Sequence, residues 1–252
     1  MASSPILATR SLGLDIGGAT IVADVSLDVG EGELLGIIGP NGAGKTSFFN
    51  LLSGIYRPTA GSVALDGRDI TRDRPYRRTR LGLGRTFQVS SVFPLLTVLE
   101  NVRLAAHASA GGTMRIWRRA TWVREALDRA LWALDRVGLM GRSAAQAGQL
   151  AHGDKRKLEL AMLLAADPRV ILLDEPMAGV SAEDVPDLVE LIRSVHEQEG
   201  KTVLMVEHHM DVVTGLAQRI AVMHHGALLA VDTPEAIMAN PTVQAAYLGE
   251  EL

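Results

Sequence analysis

Residues 39–46 read GPNGAGKT and stand between an apolar run, ELLGII, and a segment, TSFFNLLSG, that reads as a helix stopped by Gly54. The pattern G-x-x-x-x-G-K-[ST] in a strand-to-helix turn needs backbone that curls until several N–H groups converge, and side chains would obstruct that curl. The helix start adds the positive end of its dipole. Gly39, Pro40, Asn41, Gly42, Ala43 and Gly44 therefore read as a cradle for phosphate oxygens. Lys45 brings a point charge to the outer phosphates, Thr46 offers a hydroxyl to Mg²⁺, and Ser47 follows in the same cradle.

The rest of the chain supplies a sheet around that turn. VILLD and TVLMVE are continuous apolar runs of strand length, suited to strands buried on both faces in a parallel sheet wrapped by helices. Toward the N-terminus, ATIVADVSLDV, ELLGIIG and SVALDG, punctuated by Gly30, Gly32, Gly61 and Gly67, predict an antiparallel sheet with tight turns. Strand signals fade after residue 88, and EALDRALWALDRVG places Leu127, Ala130, Leu131 and Leu134 on one helical face. Thr233-Pro234 and Asn240-Pro241 each set a capping residue before a proline and predict two helix starts. The expected fold is α/β: a P-loop NTPase core with a mainly parallel sheet, an N-terminal antiparallel β-subdomain and an inserted α-helical subdomain. A single domain over 1–252 is expected, with 1–88 and 155–252 as catalytic core, 89–154 as helical insert and 232–252 as a helical tail.

A phosphate cradle needs a carboxylate to hold its metal, and VILLDEP ends a buried strand on Asp174, with Glu175 next. Mg²⁺ keeps most of its waters, so Thr46 and Asp174 suffice as protein ligands. Glu175 is expected to polarise the water that attacks the terminal phosphate. VLMVEHHM, residues 203–210, leaves three readings for its Glu-His-His: half of a metal site, a general base, or a polar sensor at the end of a buried strand. His224 and His225 form a second pair before Gly226, for which a surface role is the simpler reading. With no cysteine, thiolate metal sites and cysteine nucleophiles are excluded. A net charge of −4 disfavours nucleic acid as the main partner. No apolar stretch approaches the ~20 residues that span a bilayer, and MASSPILATR lacks a signal-peptide pattern.

Taken with their order and spacing, these pieces resemble the ATP-binding subunit of ABC transporters over nearly the whole chain. Residues 39–46 match Walker A and 170–174 match Walker B. Gln88 in GRTFQ matches the Q-loop glutamine, LAHGD at 150–154 stands at the signature position, 178–181 occupy the D-loop, and His208 matches the switch histidine. Within the family, GPNGAGKTSFFNLLSGIYRPTAGSV, GLGRTFQ, EHHM and AYLGEEL look most like the ATPase subunits of branched-chain amino acid importers, with urea-type importers close behind. The resemblance implies ATP and Mg²⁺ as ligands, Glu175, His208 and Gln88 as catalytic residues, and Thr46, Gln88 and Asp174 around the metal. It implies head-to-tail pairing with a second ATP-binding subunit, identical or related, and docking on integral membrane permease subunits. A periplasmic or extracellular binding protein is served indirectly, at the cytoplasmic face of the membrane. On this reading His208 senses the terminal phosphate, and His209 is structural.

The sequence departs from the family pattern at the signature and at the base. Ala151 replaces a serine that bonds phosphate across the dimer, His152 replaces a glycine, and Asp154 stands for glutamine. Gly153 and the helix start remain to face an anion. One lost hydrogen bond to a charged group weakens closure by about 1.5–3 kcal/mol. Ser181 in the D-loop stands where aspartate is common, and Ile16 takes the place of an aromatic that stacks on adenine. Val92, Phe93 and Leu95 are candidates for receiving a permease helix, with core packing as the alternative. Two other classes remain open: a soluble ABC ATPase acting on DNA or ribosomes, favoured only by GRDITRDRPYRRTRLGLGR, and a non-hydrolysing nucleotide-binding regulator. A solvated face explains the arginines equally well.

Overall fold

Two sheets and the helices packed on them enclose two hydrophobic cores. The computed structural model describes residues 4–86, 92–109 and 119–248. The first sheet is antiparallel and four-stranded, in the order β2-β1-β4-β5: β1 (Leu7–Ile16), β2 (Ala19–Val29), β4 (Ala60–Leu65) and β5 (Arg68–Asp69). The sequence places Leu34–Ile38 in this sheet and omits β1, whereas Leu34–Ile38 pairs parallel on both sides in the other sheet. Strand β1 shifts register twice between Thr9 and Leu14, so its burial does not alternate and the two-residue period is lost.

The second sheet runs β10-β9-β3-β8-β7-β6: β3 (Leu34–Ile38), β6 (Leu83–Arg85), β7 (Val170–Asp174), β8 (Thr202–Val206), β9 (Arg219–His224) and β10 (Ala227–Asp232). Five of these strands are mutually parallel and β10 joins antiparallel at the edge. Every residue of β3, β7 and β8 is buried, as the continuous apolar runs predict. Alternate side chains feed two cores. Leu35, Ile37, Leu172 and Leu204 pack toward the antiparallel sheet with Phe48 and Phe49, whereas Leu34, Ile38, Leu173 and Met205 pack toward the helices.

The helices are α1 (Lys45–Ser53), α2 (Pro75–Arg80), α3 (Val98–Ser109), α4 (Arg119–Arg136), α5 (His152–Ala165), α6 (Val185–Glu199), α7 (Met210–Leu216), α8 (Pro234–Ala239) and α9 (Pro241–Leu248). α3, α4 and α5 pack on one another, so the helical unit, as packed, continues past residue 154 to the end of α5. On α4 the buried face is Ala126, Ala130, Ala133 and Leu134, while Leu127 and Leu131 lie half-buried at its edge. Alanines at the contact let helices approach closely, which keeps Ala130 and Leu134 on the buried face but rotates it away from Leu127 and Leu131. The two tail helices begin where expected: Thr233 Oγ1 accepts from the Ala236 N–H, and Asn240 Oδ1 accepts from the Thr242 N–H.

The arginine-rich stretch is not simply a solvated face. Arg78 is buried at 1% exposure, donating to the carbonyls of Leu51, Leu52, Thr71 and Asp73. It satisfies carbonyls that the end of α1 leaves open. Burial lowers its pKa to about 10, against the pull of Asp73 and Asp69, and it stays a cation. No helix among the described residues is long and apolar enough to cross a membrane.

Candidate functional site

The loop 39–46 closes on three glycines with positive φ: Gly39 at 151°, Gly42 at 83° and Gly44 at 92°. They serve different ends. A Cβ on Gly39 would lie 2.1 Å from the Met223 carbonyl oxygen, and one on Gly44 would lie 2.7 Å from the Ile21 oxygen. A Cβ on Gly42 would meet nothing within 4 Å, so there only the backbone conformation excludes a side chain. The β9–β10 turn braces the loop: the Gly226 N–H donates to Ala43 O at 3.1 Å. His225 takes a left-handed φ of 47° in that turn, and its ring packs edge-on against His224. Those two histidines shape the turn, and no cluster of metal-binding side chains occurs among the described residues.

Lys45 opens α1 and is buried. Its ammonium donates to the carbonyls of Gly39 at 2.7 Å and Pro40 at 2.9 Å. Burial pushes its pKa down, and the charges of Glu175 and Asp174 pull it back up. Those two acids reach the loop because β7 runs parallel to β8, which runs parallel to β3, the strand that feeds the turn. Asp174 is 1% exposed; burial raises its pKa, while the hydrogen bond and charge of Arg85 oppose the rise. Its Oδ2 accepts from Arg85 at 2.7 Å, and its Oδ1 is buried with no partner. A buried carboxylate oxygen left bare, on a strand in contact with the helix that carries half-buried Thr46, is a hard-oxygen donor set that fits Mg²⁺.

Glu175, one residue on, takes a left-handed φ of 49°. Such backbone costs about 1–3 kcal/mol for a non-glycine residue and tends to mark functional positions. Its N–H is fixed to Val206 O at 2.9 Å, and its Oε1 lies 3.0 Å from His208 Nε2. Glu207 positions that histidine, although the sequence analysis gave it no separate role. Glu207 is 2% exposed; its Oε1 accepts from the Met177 N–H at 2.8 Å and its Oε2 from the His208 N–H at 2.9 Å. Oε2 also lies 3.1 Å from His209 Nδ1. Of the three readings of EHHM, shared metal ligation fails because the two histidines serve different carboxylates. The pair also lies past the strand, which ends at Val206, so alternation along a strand is not what separates them.

The tail also reaches the loop. Tyr247 on α9 hydrogen-bonds the backbone of Gly39, and burial, only partly opposed by that bond, pushes its pKa up to about 12. Nothing in the local sequence around Tyr247 announces this contact.

A model of the ABC transporter family matches residues 22–178, and one of the branched-chain amino acid ATP-binding cassette transporter matches residues 227–252. The chain belongs to the ABC transporter family. It is 41% identical to the high-affinity branched-chain amino acid transport ATP-binding protein LivG of Salmonella typhimurium, over 98% of this chain and 99% of that protein. Among solved structures it is similar to a nucleotide-free ATP-binding cassette from an ABC transporter, at TM-score 0.84 and 28% identity, covering 96% of this chain and 98% of the other. It is likewise similar to a dimeric ATP-binding cassette in a post-hydrolysis state bound to ADP and Pi, at TM-score 0.76 and 27% identity, covering 90% and 98%. Like other ABC cassettes it is an ATPase subunit with a mixed α/β core.

Within this ABC fold the candidate residues fall into two groups. The loop residues 39–47, Asp174, Glu175 and His208 stand together at the ends of neighbouring strands. Ala151 and Gly153 stand at the start of α5, where a Cβ on Gly153 would meet the Asp184 carboxylate at 3.0 Å. Ala151 caps the helix without a side-chain hydrogen bond, and Asp154 pairs with Arg142 at 2.9 Å. Ile16 is 51% exposed at the end of β1. Phe93 and Leu95 are 54% and 81% exposed, which removes core packing as their explanation, whereas Val92 is half-buried. Gln88 lies outside the described residues.

Proposed function

We propose that this chain binds and hydrolyses ATP to drive an importer of branched-chain or other amino acids. The contact that carries the reading is Glu175 Oε1 against His208 Nε2 at 3.0 Å, beside the Lys45 loop. Backbone N–H groups of 39–46 bind the phosphates, and Lys45 transfers its hydrogen bonds from the loop carbonyls to the β and γ oxygens. Thr46, Asp174 and Gln88 would hold Mg²⁺, which supplies positive charge where the bridging oxygen breaks away. Glu175 draws the proton of the attacking water toward Oε1, and His208 orients the carboxylate and contacts the γ-phosphate. Water oxygen bonds to phosphorus as the β–γ bridge breaks, giving ADP and phosphate.

Support for amino-acid cargo comes from the printed names of the relatives and from the family match at 227–252. Head-to-tail pairing is supported by the dimeric cassette to which this fold is similar. In such a pair Ala151 and Gly153 complete the partner's nucleotide site, and Ile16 covers the adenine with apolar surface. Phe93 and Leu95 offer an exposed apolar contact to a permease at the cytoplasmic face of the membrane.

The test is Glu175→Gln in the chain reconstituted with its membrane partners. The variant should bind ATP normally, release almost no phosphate and stop uptake of leucine, isoleucine and valine. Wild-type turnover in that variant would remove Glu175 from the reaction. Vigorous ATP hydrolysis by the wild-type assembly without amino-acid uptake would reject the cargo.

A further inference from the structure

Among the described residues Arg85 is the one cation bonded to Asp174, and although it stands in the GRTFQ stretch three residues before Gln88, the proposed site gives it no role. It ends β6, whose register sets Arg85 opposite Leu172 on β7, two residues before Asp174. The pair is sealed, with side chains 7% and 0% exposed. One arm of the guanidinium, NH2, donates to Asp174 Oδ2 at 2.7 Å. The other, NH1, donates to Asn50 Oδ1 at 2.8 Å and Ser53 Oγ at 2.7 Å, both on α1. The Phe49 ring lies 5.8 Å beneath its centre. Ser53 is itself pinned, donating to Phe49 O at 2.8 Å. The planar fork is therefore fixed by the very helix that begins with Lys45 and Thr46.

This arrangement treats the two carboxylate oxygens of Asp174 differently. Oδ2 is taken by Arg85, while Oδ1 is buried and has no partner. A carboxylate so held cannot rotate to chelate a cation through both oxygens. We propose that Arg85 is a positioning residue for the metal: it locks Asp174 so that Oδ1 alone is offered to Mg²⁺, in register with the helix that carries Thr46. Outer partners that orient a metal ligand govern metal affinity, and their loss commonly weakens it by about 10–100-fold. The inference rests on the reading of Asp174 as the metal carboxylate.

The experiment measures binding of a fluorescent ATP analogue to the purified full chain, with saturating Mg²⁺ and with EDTA, and Mn²⁺ affinity of the nucleotide-bound chain by electron paramagnetic resonance. Arg85→Met and Arg85→Lys should leave EDTA binding within about twofold of wild type. Both should cut Mn²⁺ affinity by about 10–100-fold. Asn50→Ala, which loosens one side of the clamp but keeps the Arg85–Asp174 pair, should give a smaller loss in the same direction and decides the matter if Arg85→Met fails to fold. Unchanged Mn²⁺ affinity in Arg85→Lys and Asn50→Ala overturns the inference, as does an equal fall in EDTA binding. Asp174→Asn is the separating control. Metal affinity that survives that substitution sinks the metal reading itself, whereas loss there with no loss at Arg85 sinks only the positioning role.

Discussion

Removing the Glu207 carboxylate should damage stability and turnover together while sparing nucleotide binding. Glu207→Ala deletes the acceptor of two short backbone hydrogen bonds, from Met177 at 2.8 Å and His208 at 2.9 Å, and of a longer one from His209 at 3.4 Å. Hydrogen bonds to charged acceptors contribute about 1.5–3 kcal/mol each, and an unsatisfied buried donor costs about 1–3 kcal/mol. Met177 is 2% exposed, so its N–H would find no water, whereas His208 is open enough to recover part of its loss. The expected destabilisation is about 2–4 kcal/mol, a large share of the roughly 5–15 kcal/mol that holds a domain folded. For a chain of this size each kcal/mol lowers the melting temperature by about 2–4 °C, so a fall of about 4–16 °C is expected. Hydrolysis should fall further than stability explains, because the same carboxylate ties the 176–180 segment to the backbone of His208, whose ring faces Glu175. Thermal unfolding, nucleotide titration and phosphate release on one preparation, assayed well below the variant's melting temperature, provide the check. A melting temperature within 1–2 °C of wild type together with unchanged kcat would refute the argument.

Two further outcomes follow from the site. Ala151→Ser should restore a phosphate donor at the start of α5 and tighten ATP-driven dimer closure by about 1.5–3 kcal/mol. Sedimentation in an Glu175→Gln background measures this, and an unmoved dimer constant contradicts the cross-interface role. Asp174 titrates above its ordinary value of 3.8 in the fold because burial raises it against the pull of Arg85. A raised carboxyl favours the folded state while protonated, and that contribution is lost as pH rises through the folded pKa. Metal-free wild type should therefore lose stability relative to Asp174→Asn as pH climbs from the ordinary carboxylate value into the raised one. Paired melts across that range check the sign, and a pH-independent difference contradicts it.

Much of the site could be read in the sequence because its chemistry is written in contiguous residues. A loop that wraps phosphate needs glycine at fixed offsets from Lys45 and Thr46, and a strand buried on both faces must be apolar until the acid at its end. Those local demands select residue types directly, so the cradle, Asp174 and Glu175 could be named with their order in the chain, whereas His208 was singled out only by the family resemblance. The helical face of α4 was half legible, since alanine contacts carry little hydropathy signal. β1 was lost where bulges break its alternation.

Local sequence alone determined the P-loop turn, the buried parallel strands and the acid pair that follows one of them. Tertiary structure decided which distant groups touch: Arg85 on Asp174, Glu207 on the backbone of Met177, Arg78 on the end of α1, Tyr247 on Gly39. The reason is physical. Backbone conformation and burial act within a few residues and leave a periodic imprint, whereas an arginine or glutamate that bonds a residue dozens of positions away looks, in one dimension, like any charge on a surface. Only strand order and helix packing bring the two ends of such a bond within 3 Å.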